Sequence, residues 1–311
     1  MAEIITTAAI GLALILPVLT LSPTPFWMGV ALLAFGVAMG TNSVAMNLQA
    51  VLVERQSGLS LMSGFHALFS LGGIAGSGAV SVMLALGISP TIASVAISTA
   101  IVILMIAARP GMLPIQADTD RAEKAPAFVI PKGIVVVIGV LALLAMLAEG
   151  AVLDWGALFL IAAHGAEVNF TGFGYTAFAT MMTVGRQLGD GIRTRFGDDR
   201  VLFWSAVLAT LGFVVALTVP SAATAMVGFM LIGAGISNLI PILFTLTGKT
   251  RSMPANLALS SVFTVGYVGI IAGPAAIGFV AHATSLQTAF WILCFAVAVI
   301  AASARSVISR L

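Results

Sequence analysis

The sequence predicts an all-α membrane protein, a bundle of ten transmembrane helices divided four and six. Three observations carry that prediction: the composition, the succession of long apolar runs, and the one-sided placement of the basic residues. Apolar residues make up 60% of the 311 and charged residues only 8%, and the mean hydropathy is +1.15. Too little polar surface remains to cover a water-soluble domain of this size.

A helix crossing the hydrocarbon layer needs roughly 20 mostly apolar residues. The chain offers ten such runs in order: Ile4–Leu21, Phe26–Leu52, Met62–Leu86, Pro90–Ala108, Gly133–Ile161, Thr171–Ile192, Val201–Val219, Ala223–Leu246, Leu257–Ala281 and Leu286–Ile308. Short segments between them hold nearly all the charge. The first run reads as a span rather than a signal peptide, because Met1–Glu3 carries no Lys or Arg and nine further spans follow. The single cysteine, Cys294, can form no disulfide within the chain and offers no cysteine-based metal site.

The basic residues fix sidedness. Numbering the loops alternately puts Arg55, then Arg109, Arg121, Lys124 and Lys132, then Arg193, Arg195 and Arg200, then Lys249 and Arg251, then Arg305 and Arg310 all on one side. Only Arg186 lies within a span, and the opposite loops hold Pro, Ser, Gly, His164, Glu167 and His282. By the positive-inside rule the basic side is cytoplasmic, and ten spans then leave both termini there. Basic residues so dispersed form no nucleic-acid-binding face.

The longest polar segment, Arg109–Lys132, contains Pro110, Pro114, Pro126 and Pro131 among mixed charges, as a cytoplasmic linker between two bundles would. It separates an N-terminal half-bundle, 1–108, from a C-terminal six-helix bundle, 133–311. A shift of 197 residues lays Ser63–Gly76 on Ser260–Gly273, with Ser63, Gly72, Ile74, Ala75 and Gly76 identical. The same shift places Gly36 on Gly233 and Ile4 on Val201, so spans one to four correspond to spans seven to ten without a gap. Corresponding spans run in the same direction, which makes the repeat parallel. In this register the first half lacks the counterpart of Gly133–Gly197, two helices and a loop.

Four stretches carry a family resemblance: Val44-Ala-Met-Asn-Leu-Gln-Ala50 with Val53-Glu-Arg55; Leu61-Met-Ser-Gly-Phe-His-Ala67; Glu149-Gly-Ala-Val-Leu-Asp-Trp155; and Gly172-Phe-Gly-Tyr-Thr-Ala-Phe178 leading to Gly185-Arg-Gln-Leu-Gly-Asp190. Through them the chain resembles the bacterial inner-membrane branch of the major facilitator superfamily that includes the MosC-type proteins. It departs from the family pattern at Ser43, where an acidic residue is expected, and in the absence of the first two helices. The resemblance implies a secondary active transporter of a small solute working by alternating access. Membrane lipid, the solute and, for coupling, protons are then its partners.

Under that resemblance Gly185, Arg186, Gly189 and Asp190, with Arg193, Arg195, Gly197 and Arg200, match the family's cytoplasmic loop signature. An aspartate at such a helix end can accept from backbone N–H groups and pair with arginines, latching the two bundles in one state. The alternative is plain charge anchoring, with Arg186 and Asp190 pairing four residues apart on one helix face. The resemblance also implies a cavity lined by spans two, five and eight. It points to Asn42, Asn47 and Gln49, to Glu149 and Trp155, and to Ser237 and Asn238, although interhelical hydrogen bonding explains any single Asn equally well. Thr41 and Asn238 are repeat mates.

Glu149 stands out on its own chemistry. It lies about fifteen residues into its span, about 22 Å along the helix, where an ionisable group faces a cavity or a partner. Such a carboxylate could take up and release a proton, or could be a structural group satisfied by neighbours. Asp154, nearer the outer interface, suits a solvated or capping role. His66, at the start of span three, is a further titratable group.

The pairs Gly36/Gly40, Gly72/Gly76, Gly185/Gly189 and Gly269/Gly273 permit close helix contact. Pro241 and Pro274 free backbone carbonyls and mark bend points. No phosphate-binding loop, HExxH or Ser-His-Asp constellation is present, so neither an enzyme nor a cofactor is expected. Two other readings stay open: a non-transporting remnant or regulatory membrane protein, and a ten-helix drug/metabolite-type exporter, against which the parallel repeat argues.

The sidedness is directly testable. Single cysteines introduced at Ser22, Ala163 and Ser221 are expected to react with impermeant thiol reagents from outside, and those at Gln56, Ala117 and Ser252 to be protected. Labelling with the sides reversed refutes the ten-span topology.

Overall fold

The computed structural model describes residues 2–113, 130–166 and 168–309. Nearly all of them are helical: α1 (Ala2–Leu21), α2 (Pro25–Ser57), α3 (Met62–Ala85), α4 (Pro90–Ala108), α5 (Ile134–His164), α6 (Val168–Phe196), α7 (Asp198–Thr218), α8 (Ala222–Ile236), α9 (Leu239–Lys249), α10 (Ala255–Ala283) and α11 (Leu286–Ile308). Counting α8 and α9 as one span, eight of the spans are long and apolar enough to cross a membrane. The other two expected spans are the helices α3 and α6, and α6 carries Arg186, Asp190, Arg193 and Arg195. Most of the expected linker, residues 114–129, and Glu167 lie outside the described residues.

Local chemistry sets the helix ends. Ser89 accepts from the Ile92 N–H with Pro90 at the first helical position of α4, and Ser285 accepts from the Thr288 N–H at the start of α11. Each satisfies an orphan donor that hydrocarbon would leave exposed. Gly165 ends α5 in the left-handed conformation, φ +60°, its N–H returning to the Ile161 carbonyl and that of Ala166 to Leu160. Gly197, at φ +83°, makes the turn between α6 and α7 that an L side chain would strain.

Span eight is interrupted near the bend point expected at Pro241. It breaks at Ser237–Asn238, between α8 and α9. The cause is Pro241, which cannot donate to the carbonyl of Ser237 four residues back and whose ring crowds it. Pro274, by contrast, lies inside the continuous helix α10.

The chain divides into two compact units: Met1–Ser57 with Leu68–Ala127, and Gly58–Ala67 with Phe128–Leu311. In the first unit α1 packs on both α2 and α4. In the second, α7 packs on both α8 and α11. These are the pairings that the shift of 197 residues requires, so the internal order of the two units follows the sequence repeat.

Close approach in the second unit is bought with glycine. A β-carbon at Gly212 of α7 would sit 2.7 Å from the Gly228 carbonyl of α8, and one at Gly228 would sit 2.7 Å from the Gly212 carbonyl. Gly269 of α10 lies against the Leu143 carbonyl of α5, and Gly273 against the Leu147 side chain. Lipid offers no hydrophobic drive between helices, so van der Waals contact of this kind holds the bundle together. An aromatic cluster reinforces it, with Phe159 stacked on Phe290 at 4.3 Å and both fully buried.

Gly212→Val should therefore lower the stability of the purified protein by about 1–3 kcal/mol, read as a fall in melting temperature in detergent. Gly29→Ala, whose β-carbon would meet no other element among the described residues within 4 Å, should leave that temperature unchanged or raise it.

Candidate functional site

The structure concentrates polar contacts on one stretch of α6, residues 185–193, all within the second unit. Three glycines and three charged side chains occupy it. Gly185 and Gly189 give α6 a surface without side chains, into which the broken span inserts. A β-carbon at Gly185 would overlap the Ser237 hydroxyl, and one at Gly189 the Asn238 amide. Asn238 donates to the Gly185 carbonyl at 3.0 Å and to the Ser237 hydroxyl at 3.0 Å, while Ser237 donates to the Ala234 carbonyl at 2.6 Å. The break that Pro241 imposes is thus tied to α6 by side chains that are themselves buried.

Arg186 points to α5. Its Nη2 donates to Glu149 Oε1 at 3.2 Å, and the two side chains are 8% and 19% exposed. The alternative reading, Arg186 paired with Asp190 on one helix face, is not among the ion pairs seen between the described residues. Asp190 instead accepts from the Ser63 N–H at 2.9 Å and the Gly64 N–H at 2.6 Å, two orphan donors at the N-terminus of α3. Gly64 is what permits this approach, since a β-carbon there would lie 2.8 Å from Asp190 Oδ2.

Arg193 completes the cluster with its side chain fully buried. It donates to Asp190 at 3.3 Å, to Asp198 at 2.9 Å and to the Thr245 hydroxyl at 2.9 Å. Lys249, at the end of α9, adds a second cation on Asp198 at 2.8 Å. Burial pushes the Asp198 carboxyl upward, but Arg193 and Lys249 outweigh it and hold the group below the usual carboxylate range.

The remaining expected site residues are placed elsewhere. Trp155 is half-buried with its ring beside Gly278, where a β-carbon would lie 3.1 Å away, and its indole N–H has no partner among the described residues. Asp154 is exposed. On α2, in the first unit, Asn42 donates to Met46 Sδ at 3.2 Å, Asn47 to the Ser43 carbonyl at 2.8 Å and Gln49 to the Leu113 carbonyl at 3.4 Å. Arg195 lies over the Phe196 ring and Arg200 is exposed. An open groove of about 760 Å³ between α1 and α2 is lined by Ile4, Val30, Leu33, Val37 and Thr41 and holds none of the expected binding residues. Among the described residues no group of three or more His, Cys, Asp or Glu could hold a metal.

No family model matches the sequence. Curated relatives do. An uncharacterised MFS-type transporter of Yersinia pestis is 46% identical over 304 residues, covering 98% of this chain and 78% of its own length. The chain belongs to the major facilitator superfamily. Membrane protein MosC of Rhizobium meliloti is 31% identical over 282 residues, covering 90% of this chain and 68% of its own. The uncharacterised transporter y4wD of Sinorhizobium fredii is 31% identical over 295 residues. Among solved structures, that of the major facilitator FucP in an outward conformation aligns with TM-score 0.79 at 19% identity, covering 99% of this chain and 84% of FucP. A bacterial homologue of the iron transporter ferroportin aligns with TM-score 0.65 at 13% identity.

For this major facilitator protein, sequence reasoning missed Arg186 as the partner of Glu149, and Ser63, Thr245 and Lys249 as members of the cluster. The signal for the first was present: opposite charges in consecutive spans cannot both stay unpaired in hydrocarbon. The others depend on tertiary proximity alone.

The depressed Asp198 carboxyl gives a pH dependence with a definite sign. Its pairing contributes stability fully present above the unfolded carboxylate's pKa of about 4 and lost as pH falls through the lower folded value. Asp198→Asn should lower the melting temperature at neutral pH and flatten its dependence between about pH 5 and pH 3. A variant that keeps the parent's acid limb refutes the assignment.

Proposed function

We propose that the protein is a secondary transporter of a small polar solute in the bacterial inner membrane, working by alternating access with both termini cytoplasmic and Glu149 as its proton-binding group. The observation that carries this reading is the Glu149–Arg186 pair, deep in the sequence of two adjacent spans and largely withdrawn from solvent. Ionisable groups are expensive in such a setting and are placed there for function. An ion pair is also a poor way to gain stability, since the cost of desolvating both partners offsets most of their attraction. Replacement by two apolar side chains would serve structure as well.

Membership of the major facilitator superfamily supports transport, and the structural neighbour FucP is a fucose:proton symporter. Its solute is not carried over at 18% identity. The Asp190 contact with the first residues of α3 supports the second element of the reading: a cytoplasmic latch that forms in one state of the transport cycle and opens in the other. Asn42 and Trp155, each with a buried polar atom lacking a partner among the described residues, are the solute-binding candidates.

The test is solute-driven proton movement in proteoliposomes loaded with a pH-sensitive dye, screened with monosaccharides, amino acids and organic acids. A responding solute should lose its dye signal in Glu149→Gln while that variant still binds it, and Asp154→Asn should respond as the parent does. Both variants should retain the parent's elution profile and melting temperature. A Glu149→Gln protein whose solute flux stays as pH-dependent as the parent's removes the proton role.

A further inference from the structure

Six charged side chains of the second unit follow one another with alternating sign, as one ion pair and one linked group of four. Glu149 on α5 meets Arg186 on α6, and Asp190 stands one helical turn further along α6. Arg193 follows three residues later, then Asp198 and Lys249. The first of the six is the carboxylate assigned above to proton binding. The linked group includes the carboxylate that holds the Ser63 and Gly64 N–H groups. Arg186 is the one cation of the six within reach of both: it bonds Glu149 across the helix pair, and it lies four residues from Asp190, a spacing at which Arg and Asp side chains meet on a helix face.

We infer that Arg186 is a two-position switch that links proton binding at Glu149 to release of the α3 N-terminus by Asp190. The inference rests on the reading of Glu149 as the proton-binding group. A proton on Glu149 converts a charge-assisted hydrogen bond into a neutral one and leaves the guanidinium, which stays charged, with a weaker partner there. Asp190 is the next carboxylate along the same helix. Turning toward it, the guanidinium competes with the two backbone N–H donors for the Asp190 oxygens. The hold on Ser63 and Gly64 is loosened, and deprotonation of Glu149 draws Arg186 back and restores it.

The surroundings permit this assignment. The elements packed against α5 are α6, α8, α9, α10 and α11. Their charged and titratable side chains are Tyr175, Arg186, Asp190, Arg193 and Arg195 on α6, Lys249 on α9, Tyr267 and His282 on α10, and Cys294 and Arg305 on α11. α8 has none. Of these, Arg186 makes the ion pair with Glu149. Lys249 is engaged by Asp198, and Cys294 by the Thr210 carbonyl.

Hydrogen exchange of the whole protein in nanodiscs tests the switch without need of a solute. Glu149→Gln, a stand-in for the protonated carboxyl, should speed exchange in the peptide spanning residues 58–67 by about threefold or more, with residues 198–218 unchanged. Adding Arg186→Gln to Glu149→Gln removes the competing guanidinium and should return the 58–67 peptide to the parent's rate. Unchanged exchange in Glu149→Gln, a double variant as labile as the single one, or a rise spread over every helix each overturns the proposal. Proton coupling measured on the same preparations separates it from the reading it rests on. Lost coupling with unaltered exchange keeps Glu149 as the proton site and rejects the switch; unaltered coupling with faster exchange at 58–67 keeps the link between Arg186 and Asp190 and rejects the proton role.

Discussion

Two guanidinium groups, Arg186 and Arg193, lie almost wholly out of solvent in a chain whose charged residues make up only 8% of its sequence, and much of the second unit's polar architecture follows from neutralising them. An arginine does not shed its charge, so each must be met by carboxylates and hydroxyls at a desolvation cost of several kcal/mol per ion. Glu149, Asp190, Asp198 and Thr245 are those partners, drawn from α5, α6, α7 and α9. Satisfying both arginines thus dictates which faces of three elements, α5, α7 and α9, turn toward α6. Asp190 shares Oδ1 between Arg193 and the Ser63 N–H and gives Oδ2 to the Gly64 N–H, and through these bonds residues 58–67 group with the C-terminal unit.

The glycines of α6 are the complement of its charges. Side chains at 185 and 189 would hold the broken span away, and the carbonyl of Gly185 would lose its bond from Asn238. Backbone freed at a helix break is tolerated at membrane depth only where protein covers and bonds it. Pro241, Ser237, Asn238, Gly185 and Gly189 therefore act as one device: the proline opens the helix, the serine and asparagine occupy the opening, and the glycines let α6 close over it.

Hydropathy made the architecture legible before any coordinates, because period and length in hydrocarbon are set by single-chain chemistry, and the helix ends at Ser89, Gly165, Gly197 and Ser285 follow from capping rules that act within a few residues. The site was legible only in part. Glu149, Arg186, Asp190 and Arg193 could be singled out as expensive residues in an apolar context, yet the choice of partner could not. Local spacing offered Arg186 with Asp190 as an alternative, and it could not say which backbone N–H groups Asp190 would meet; the tertiary fold sets Arg186 on Glu149 and gives Asp190 to backbone donors 126 and 127 residues away. Ser237 and Asn238 read as polar groups for a cavity, and what they bond is the neighbouring helix, since only the third dimension shows that Gly185 and Gly189 leave room for them. The break at Ser237–Asn238 was half-legible: a proline in a span announces a bend but not which carbonyls take up the strain.

The repeat carries the argument from the second unit to the first. In the second unit Gly233 of α8 lies against the Phe178 carbonyl of α6, and four residues on, Ser237 lies against Gly185. The shift of 197 residues puts Gly36 and Gly40 of α2 at these two positions, and a β-carbon at either would meet no other element among the described residues within 4 Å. A glycine inside an exposed helix costs about 1 kcal/mol relative to alanine and gains nothing in lipid. Gly36 and Gly233 look alike in the sequence and occupy like places in the repeat, but among the described residues it is Gly233 that meets another backbone. Two backbones can touch only where a side chain is missing, and it is in the second unit that this freedom is seen in use.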